Sequence, residues 1–164
     1  MPDDIRPLTQ PSDEIVHDTR LYDDRYWVTE PAFPDVSWLP LMFDRANGNH
    51  TEIMRVRRGG HLGRHFHATP VHGLVLSGSW RYIERDWVAR PGSYVFEPAG
   101  DRHTLVCDDP EGMMTFFHIF GPIIYLNPDD SVAFIDDNAA LIARAKAHYA
   151  ANGIGEGFID RLCR

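Results

Sequence analysis

Three of the nine histidines in the sequence occupy positions from which they could hold one metal ion. His65 and His67 are separated by one residue in a strand-like stretch, and residues two apart in a strand point to the same face. A third imidazole, that of His103, would have to come from a different strand. The pair alone does not decide between a metal site and scattered surface histidines, because exposed strands often carry two histidines at this spacing.

Short strand-like segments separated by turns surround these histidines. Turns that contain glycine or proline, such as Asn47-Gly48 and Pro98-Ala99-Gly100, lie between segments in which apolar and polar residues alternate. This pattern predicts an all-β fold, either a sandwich or a barrel. The clearest segments cover 71–76, 80–84, 93–97, 104–108, 113–120 and 123–126.

The two ends of the chain differ from this central part. The first 35 residues combine many aspartates with isolated apolar residues, and we expect an acidic, solvated arm that wraps the domain or a neighbouring subunit. Near the C-terminus, Asp137 and Asn138 can cap a helix that runs through Ala151. We therefore predict one domain with an N-terminal arm (1–35), a β-barrel (36–135) and a C-terminal helix and tail (136–164).

Two spacings around the histidines resemble the paired motifs of the cupin superfamily. These spacings are Gly59-x5-His65-x-His67 with Gly78 eleven residues further on, and Gly92-x5-Pro98-x-Gly100-x2-His103. The resemblance covers roughly 59–107. It implies a single-domain cupin, a small antiparallel β-barrel or jelly roll, with one divalent metal ion per chain held by His65, His67 and His103.

The sequence departs from the cupin pattern at two places. Where the first motif usually has a glutamate ligand, this chain has Val71 and His72, and where the second motif usually ends in Asn it has Cys107. Three neutral imidazoles leave a divalent ion with its full charge, whereas a site of two histidines and one carboxylate cancels part of it. We therefore expect the site to favour an anionic, oxygen-chelating ligand such as the enolate of a β-diketone.

Within the cupins, the sequence is similar to the acetylacetone-cleaving and 2,4′-dihydroxyacetophenone dioxygenases. This resemblance implies Fe(II) as the cofactor, with Zn or Ni as ions that purified protein could also carry. It implies cleavage of a carbon–carbon bond in a β-diketone or hydroxyaryl ketone with O2, and assembly as a homodimer or homotetramer. The alternative is a non-catalytic metal- or ligand-binding cupin, similar to the C-terminal cupin of certain anti-sigma factors.

Other residues are candidates for parts of the same site. Glu97, Glu84 and His72 are each considered as a fourth metal ligand or as a group that orients a ligand. Arg81 and Tyr82 alternate along one strand, so only one of the two can face the interior. The candidates for a substrate pocket are Arg81, Tyr82, Phe117 and His118.

Most of the remaining aromatic and histidine residues have simpler predicted roles. Barrel interiors are filled mainly by aromatic and aliphatic side chains, and histidines outside a cluster are usually at the surface. The residues predicted to fill the core are Phe66, Phe96, Phe116, Phe117 and Trp80. The histidines predicted to lie at the surface are His50, His61 and His148.

Composition excludes several other classes of protein. The chain has 16 Lys and Arg against 24 Asp and Glu, a net charge of −8, and this balance argues against a nucleic-acid partner. No apolar run approaches the ~20 residues that a membrane-spanning helix needs, and the N-terminus lacks the features of a signal peptide. Two cysteines are too few for a disulfide framework, so we expect free thiols and a cytoplasmic protein.

Overall fold

Two antiparallel sheets face each other in the computed structural model, which describes residues 13–164. The first sheet has the strand order β1-β2-β3-β9-β5-β7, and the second has the order β11-β10-β4-β8-β6. The strands are β1 (Val28–Glu30), β2 (Phe33–Phe43), β3 (His50–Val56), β4 (His61–His67), β5 (Val71–Gly78), β6 (Arg81–Tyr82), β7 (Tyr94–Glu97), β8 (His103–Val106), β9 (Met113–Ile119), β10 (Ile123–Leu126) and β11 (Val132–Asp136). The all-β prediction is confirmed.

The space between the two sheets holds the main hydrophobic core. Alternate residues of each strand face this space, as the burial pattern of β9 shows: Met113, Thr115, Phe117 and Ile119 are buried, and the residues between them are partly exposed. Side chains from facing strands, such as Leu62 and Ile123, pack against them. The alternation therefore determines which polar side chains also enter the barrel interior.

A β-bulge in β4 changes this alternation just before the first histidine of the pair. The pairing of β4 with β8 is irregular between Leu62 and His65, so these two residues are three apart and both face inward. Gly63 lies within the bulge, where a Cβ atom would come within 2.7 Å of the Phe33 ring. The absence of a side chain at Gly63 lets β2 and β4 pack closely beside the bulge.

The ends of the described chain cover the outside of β1 and β2. Helix α1 (Asn138–Ala151) begins at Asp137, whose side chain accepts a hydrogen bond from the Ala140 amide, as the predicted capping requires. Its buried residues Leu141, Ala145 and Tyr149 form one stripe, which packs with the short helix α2 (Gly157–Asp160) in a second hydrophobic cluster.

The predicted N-terminal arm contributes to the same outer layer. Two short 3-10 helices, Thr19–Leu21 and Asp24–Tyr26, precede β1, and β1 pairs with β2. Residues 1–12 of the predicted arm lie outside the described residues. Both cysteines are free, and no helix of the described chain combines the length and apolar character needed to cross a membrane.

Arg144 of α1 joins the helix to both sheets through a buried ion-pair network. Its guanidinium donates to Glu30 at 2.5 Å and to Asp136 at 2.6 Å and 3.0 Å. Both carboxylates are almost fully buried, so water cannot stabilise their negative charges and Arg144 must balance them.

Replacing Arg144 with Met should therefore destabilise the fold strongly. The change leaves two buried carboxylates without their cation, and losing one partner of a buried ion pair costs about 3–5 kcal/mol. Urea unfolding at pH 7 measures the effect. Lys146→Met is the control, because Lys146 pairs with an exposed carboxylate of Asp160, and its unfolding midpoint should stay that of the wild type. Equal midpoints for the two variants would contradict the role given to Arg144.

Candidate metal centre

Three buried imidazoles converge inside the barrel. His65 and His67 are inward-facing residues of β4, and His103 begins β8 directly opposite His65 in the strand register. Their possible ligand atoms all lie within 4.8 Å of one another. The structure thus brings together the three histidines that the sequence analysis singled out, in an arrangement that could hold a metal ion.

Hydrogen bonds and burial keep imidazole nitrogens of this cluster unprotonated, so that their lone pairs are available to a metal ion. The Nδ1 atom of His65 donates to the Gly63 carbonyl at 2.7 Å, so Nε2 carries the lone pair. The Nδ1 atom of His103 lies 3.3 Å from the Asp101 carboxylate. Burial and the charges of His67 and His103 lower the pKa of His65 to about 3. Burial also lowers the pKa of His103, although Glu97 and Asp101 oppose this shift. Both of these imidazoles are therefore neutral near pH 7.

A buried carboxylate, that of Glu97, lies beside the imidazoles. Its Oε2 atom is 3.3 Å from His67 Nε2 and 3.5 Å from His103 Nε2, and its Oε1 atom accepts a hydrogen bond from the Tyr82 hydroxyl. The Tyr82 ring also stacks on His103, with ring centroids 3.9 Å apart. Tyr82 therefore holds both the carboxylate and one imidazole in place.

The protonation states of Glu97 and Tyr82 follow from this contact. Burial alone would raise the pKa of Glu97, but the contacts with His67 and His103 and the hydrogen bond from Tyr82 lower it to about 2. Burial and the nearby Glu97 charge raise the pKa of Tyr82 well above its ordinary value. The centre thus contains an ionised carboxylate and a protonated phenol.

Unpartnered polar atoms indicate that a cation fits this centre. His103 Nε2 and Glu97 Oε2 are buried and have no hydrogen-bond partner. Leaving such groups unsatisfied costs about 1–3 kcal/mol each. A divalent ion among the imidazoles would accept the His103 lone pair and attract the Glu97 charge. Neutral imidazole ligands suit iron, zinc, nickel and copper.

The other predicted site residues divide between the interior and the surface. Tyr82 and Phe117 are buried in the barrel core. Arg81 alternates with Tyr82 and pairs instead with Asp108 at 3.0 Å. Of the two residues on the strand, it is Tyr82 that faces the interior.

The remaining candidates do not reach the imidazole cluster. The Glu84 carboxylate accepts hydrogen bonds from the amide and hydroxyl of Thr104. His72 and His118 are opposite each other on the outer face of the first sheet, where His72 contacts the Tyr94 hydroxyl at 2.6 Å. Of Glu97, Glu84 and His72, the three candidates for a fourth metal ligand, only Glu97 lies beside the three imidazoles.

Fold and site together define a cupin. The sequence profile of the ChrR cupin-like domain family matches residues 14–123, and the chain belongs to that family. An RmlC-like cupin from Ralstonia eutropha JMP134 is 30% identical, with a TM-score of 0.73 over 78% of this chain and 83% of that one. A second cupin-like protein from the same organism is 23% identical, with a TM-score of 0.69 over 73% and 75%.

A more distant similarity covers more of the chain. The acetylacetone dioxygenase from Acinetobacter johnsonii is 20% identical, with a TM-score of 0.75 over 88% of this chain and 99% of that one. At this identity the similarity establishes the fold alone. Comparison with curated proteins gives no match. The cupin resemblance predicted from the motif spacings is confirmed.

The sequence analysis missed two polar residues of β3 that enter the barrel. The predicted surface position of His50 is wrong, since its side chain is 1% exposed and neither ring nitrogen has a hydrogen-bond partner. Glu52 is also buried, with Oε2 3.9 Å from His50 Nε2. The alternation that continues to Met54 and Val56, both core residues, was the available signal.

Charge balance in this part of the interior sets the protonation of both residues. Burial, together with the charge of His67, lowers the pKa of His50 to about 3, although Asn138 opposes the shift. Burial and the carboxylates of Glu30 and Asp136 raise the pKa of Glu52 to about 8, although Arg144 opposes the shift. Both side chains are therefore mainly neutral near pH 7.

The raised pKa of Glu52 predicts a pH-dependent stability. In the unfolded chain the group titrates near 4.5 and in the folded protein near 8, so its contribution is full below about pH 4.5 and is lost as pH rises to about 8. Glu52→Gln removes this titration. The variant should come within about 1 kcal/mol of the wild type at pH 5 and exceed it in unfolding free energy by a few kcal/mol at pH 9.

Urea unfolding of metal-free protein at both pH values makes the comparison. The exposed Glu111→Gln is the matched control and should show no such pH-dependent difference. A difference between Glu52→Gln and the wild type that is equal at pH 5 and pH 9 would contradict the protonated state assigned to Glu52.

Proposed function

We propose that this protein is an Fe(II)-dependent dioxygenase that cleaves a carbon–carbon bond in a β-diketone or hydroxyaryl ketone. The observation that carries the proposal is the convergence of three buried imidazoles within 4.8 Å of one another. The fold shared with the acetylacetone dioxygenase from Acinetobacter johnsonii supports the choice of chemistry. Glu97 lies beside the imidazoles, so its charge also affects which substrate the centre prefers.

The charge of the centre favours an anionic ligand. Three neutral imidazoles leave the double charge of the ion intact, and Glu97 offsets part of it from beside the imidazoles. The remaining positive charge attracts an enolate, which supplies two oxygen donors and the balancing negative charge. A neutral ketone of the same size gains less from the same site.

Each residue of the centre has a specific part in this proposal. His65, His67 and His103 hold the ion, and Fe(II), when bound, supplies the redox chemistry with O2 that amino-acid side chains lack.

Glu97 stays ionised, because its pKa is lowered to about 2, so it contributes a fixed negative charge beside the imidazoles and does not take up a proton. Tyr82 holds Glu97 by its hydroxyl and His103 by its ring. Phe117, buried in the interior, helps to exclude water.

A non-catalytic metal-binding module is the second candidate. The family profile that matches the chain is named after ChrR, and a member with a regulatory role would use the same three imidazoles for binding alone. Oxygen consumption by metal-loaded protein distinguishes the two functions, because the binding module would hold the metal without turnover.

Removal of one imidazole should release the metal. His103→Ala is expected to lower metal affinity by at least about 10-fold, since even groups that only support a metal ligand contribute 10- to 100-fold. Metal analysis of protein purified without added metal, followed by chelator competition, measures the loss. His72→Ala is the control, because His72 lies on the outer face of the sheet.

The same preparations test the dioxygenase proposal with an oxygen electrode and a panel of diketones and hydroxyacetophenones. Wild-type protein and His72→Ala should consume O2, and His103→Ala should not. Full metal content in His103→Ala would contradict the site. Iron-loaded wild-type protein that consumes no O2 with any member of the panel would favour the binding module.

Neutralising Glu97 should strengthen the binding of an anionic chelator. A unit charge about 6 Å away at an effective dielectric constant of about 20 is worth roughly 3 kcal/mol, so Glu97→Gln should bind a β-diketonate about 10- to 100-fold more tightly while retaining the metal. Anaerobic absorbance titration of metal-loaded protein measures the affinity.

Glu84→Gln is the matched control for this titration, because the Glu84 carboxylate is bonded to Thr104. Its affinity for the diketonate should equal that of the wild type. Unchanged affinity in Glu97→Gln with the metal retained would contradict the electrostatic role of Glu97. Loss of the metal would instead identify Glu97 as a ligand.

A further inference from the structure

The three imidazoles of the candidate metal centre differ in what their Nδ1 atoms contact. The Nδ1 atom of His65 is bonded to the Gly63 carbonyl, and that of His67 is buried without a hydrogen-bond partner. His103 alone of the three has a carboxylate at this position, with Asp101 Oδ2 3.3 Å from its Nδ1 atom. Because a carboxylate is a stronger acceptor than a carbonyl oxygen and carries a full charge, the three candidate ligands are not equivalent.

The two nitrogens of the His103 ring face two different carboxylates. Asp101 is the hydrogen-bond partner of Nδ1, whereas Nε2 lies 3.5 Å from Glu97 Oε2 and has no hydrogen-bond partner. A neutral imidazole carries one proton, and the hydrogen bond made by one nitrogen decides which atom holds it. The geometry therefore places the proton on Nδ1 and leaves the lone pair on Nε2, inside the imidazole cluster.

The Asp101 carboxylate is held from its other side by Arg85. The guanidinium donates to Asp101 Oδ1 at 2.6 Å and to the Glu84 carbonyl at 3.1 Å. The two oxygens of Asp101 thus have separate partners, one an arginine and the other the His103 imidazole. With Oδ1 engaged, the carboxylate cannot rotate away from His103 without breaking an ion pair.

The segment that carries Arg85 is itself fixed on β8. The Glu84 carboxylate accepts hydrogen bonds from the Thr104 amide and hydroxyl at 2.9 Å and 3.0 Å, and the Ile83 amide donates to the Thr104 carbonyl at 3.1 Å. Thr104 directly follows His103 in the chain. One short segment therefore binds the chain on both sides of His103, through Asp101 before it and Thr104 after it.

Solvent reaches the outer side of this ion pair through a hollow of about 190 Å³. Its lining includes Arg85, Asp101 and, on β7, Phe96. Phe96 is 53% exposed, so the prediction that it fills the core is wrong. The Asp101 side chain is 27% exposed, against 1% for His103. A substitution at Asp101 therefore changes the environment of His103 without creating a cavity in the core.

We propose that Asp101 is a positioning residue for His103, and that it supplies through this imidazole negative charge that the three-histidine ligand set lacks. The inference rests on the metal centre proposed above. An imidazole whose second nitrogen donates to a carboxylate is a more basic metal ligand with a fixed ring orientation. Val71 and His72 stand where the first cupin motif has a glutamate ligand, so in this chain the charge comes from the second motif, two residues before His103.

Nitrogen-15 NMR of histidine-labelled, metal-free protein at pH 7 tests the tautomer. In the wild type the His103 proton should be on Nδ1, and His103→Gln identifies the His103 signals. Asp101→Asn should keep the proton there, because the amide oxygen can accept the same hydrogen bond. Asp101→Leu should shift the population toward a proton on Nε2, which faces Glu97. A wild-type proton on Nε2 would overturn the proposal whether or not the protein binds metal.

The midpoint potential of iron-loaded protein tests the contribution of charge. Asp101→Asn keeps the hydrogen bond and removes the charge, so Fe(III) should lose affinity relative to Fe(II) by at least about 10-fold. For a one-electron couple this raises the midpoint potential by about 59 mV or more. Anaerobic spectroelectrochemical titration measures it. Chelator competition with zinc provides a second readout, in which Asp101→Leu should weaken binding by about 10- to 100-fold.

Asp108→Asn and Asp108→Leu are the matched controls, because Asp108 is 70% exposed and pairs with Arg81 at 3.0 Å. Both should keep the wild-type potential and zinc affinity, and circular dichroism should show all variants folded. An unchanged potential in Asp101→Asn, or a wild-type zinc affinity in Asp101→Leu, would overturn the proposal. Wild-type protein that binds neither metal would overturn it together with the metal centre.

The result for Asp101 is separate from the result for the dioxygenase proposal. Iron-loaded wild-type protein that consumes no O2 but shows the predicted rise in potential for Asp101→Asn would support the role of Asp101 and contradict the dioxygenase. Oxygen consumption together with an unchanged potential would support the dioxygenase and contradict the role of Asp101.

Discussion

The antiparallel pairing of β4 with β8 is the contact on which the interior depends. It places His65 opposite His103, and the bulge before His65 restores the inward direction of the pair His65 and His67. The bulge also presents the Gly63 carbonyl to His65, which fixes the proton on Nδ1 and leaves Nε2 as a lone-pair donor. Backbone geometry thus determines both the direction and the tautomer of His65, a candidate metal ligand, and burial keeps its imidazole neutral.

Besides the candidate metal centre, the barrel interior contains a second cluster of buried polar side chains, and the charges of the two clusters are balanced in different ways. Around the imidazoles, Glu97 stays ionised because two histidines and Tyr82 contact it. On the side toward α1, Arg144 compensates Glu30 and Asp136, and Glu52 keeps its proton. The interior therefore contains an ionised carboxylate, Glu97, beside the candidate metal centre. It also contains a protonated carboxyl group, Glu52, on the side where Arg144 is already paired with Glu30 and Asp136. This difference makes the Glu97 side of the interior the one that favours a bound cation.

Motif spacing predicted much of the fold and the three imidazoles, because glycine turns and two-residue alternation are local properties of the chain. It could not select Glu97 over Glu84 or His72, since that choice depends on which strands pair and in what register. His50 was misassigned because it begins β3 directly after a turn, where the alternation is hard to assign. Phe96 was misassigned because β7 is an edge strand whose outer residues are as apolar as its inner ones.

The central claim is that His65, His67 and His103 bind one ion together. A crystal structure with anomalous diffraction recorded at the absorption edge of the bound metal tests it most directly. The account predicts a single peak per chain, about 2.1 Å from one nitrogen of each of the three imidazoles. A peak elsewhere, for example between His72 and His118 on the outer face, or a peak that contacts only two of the three imidazoles, would contradict it.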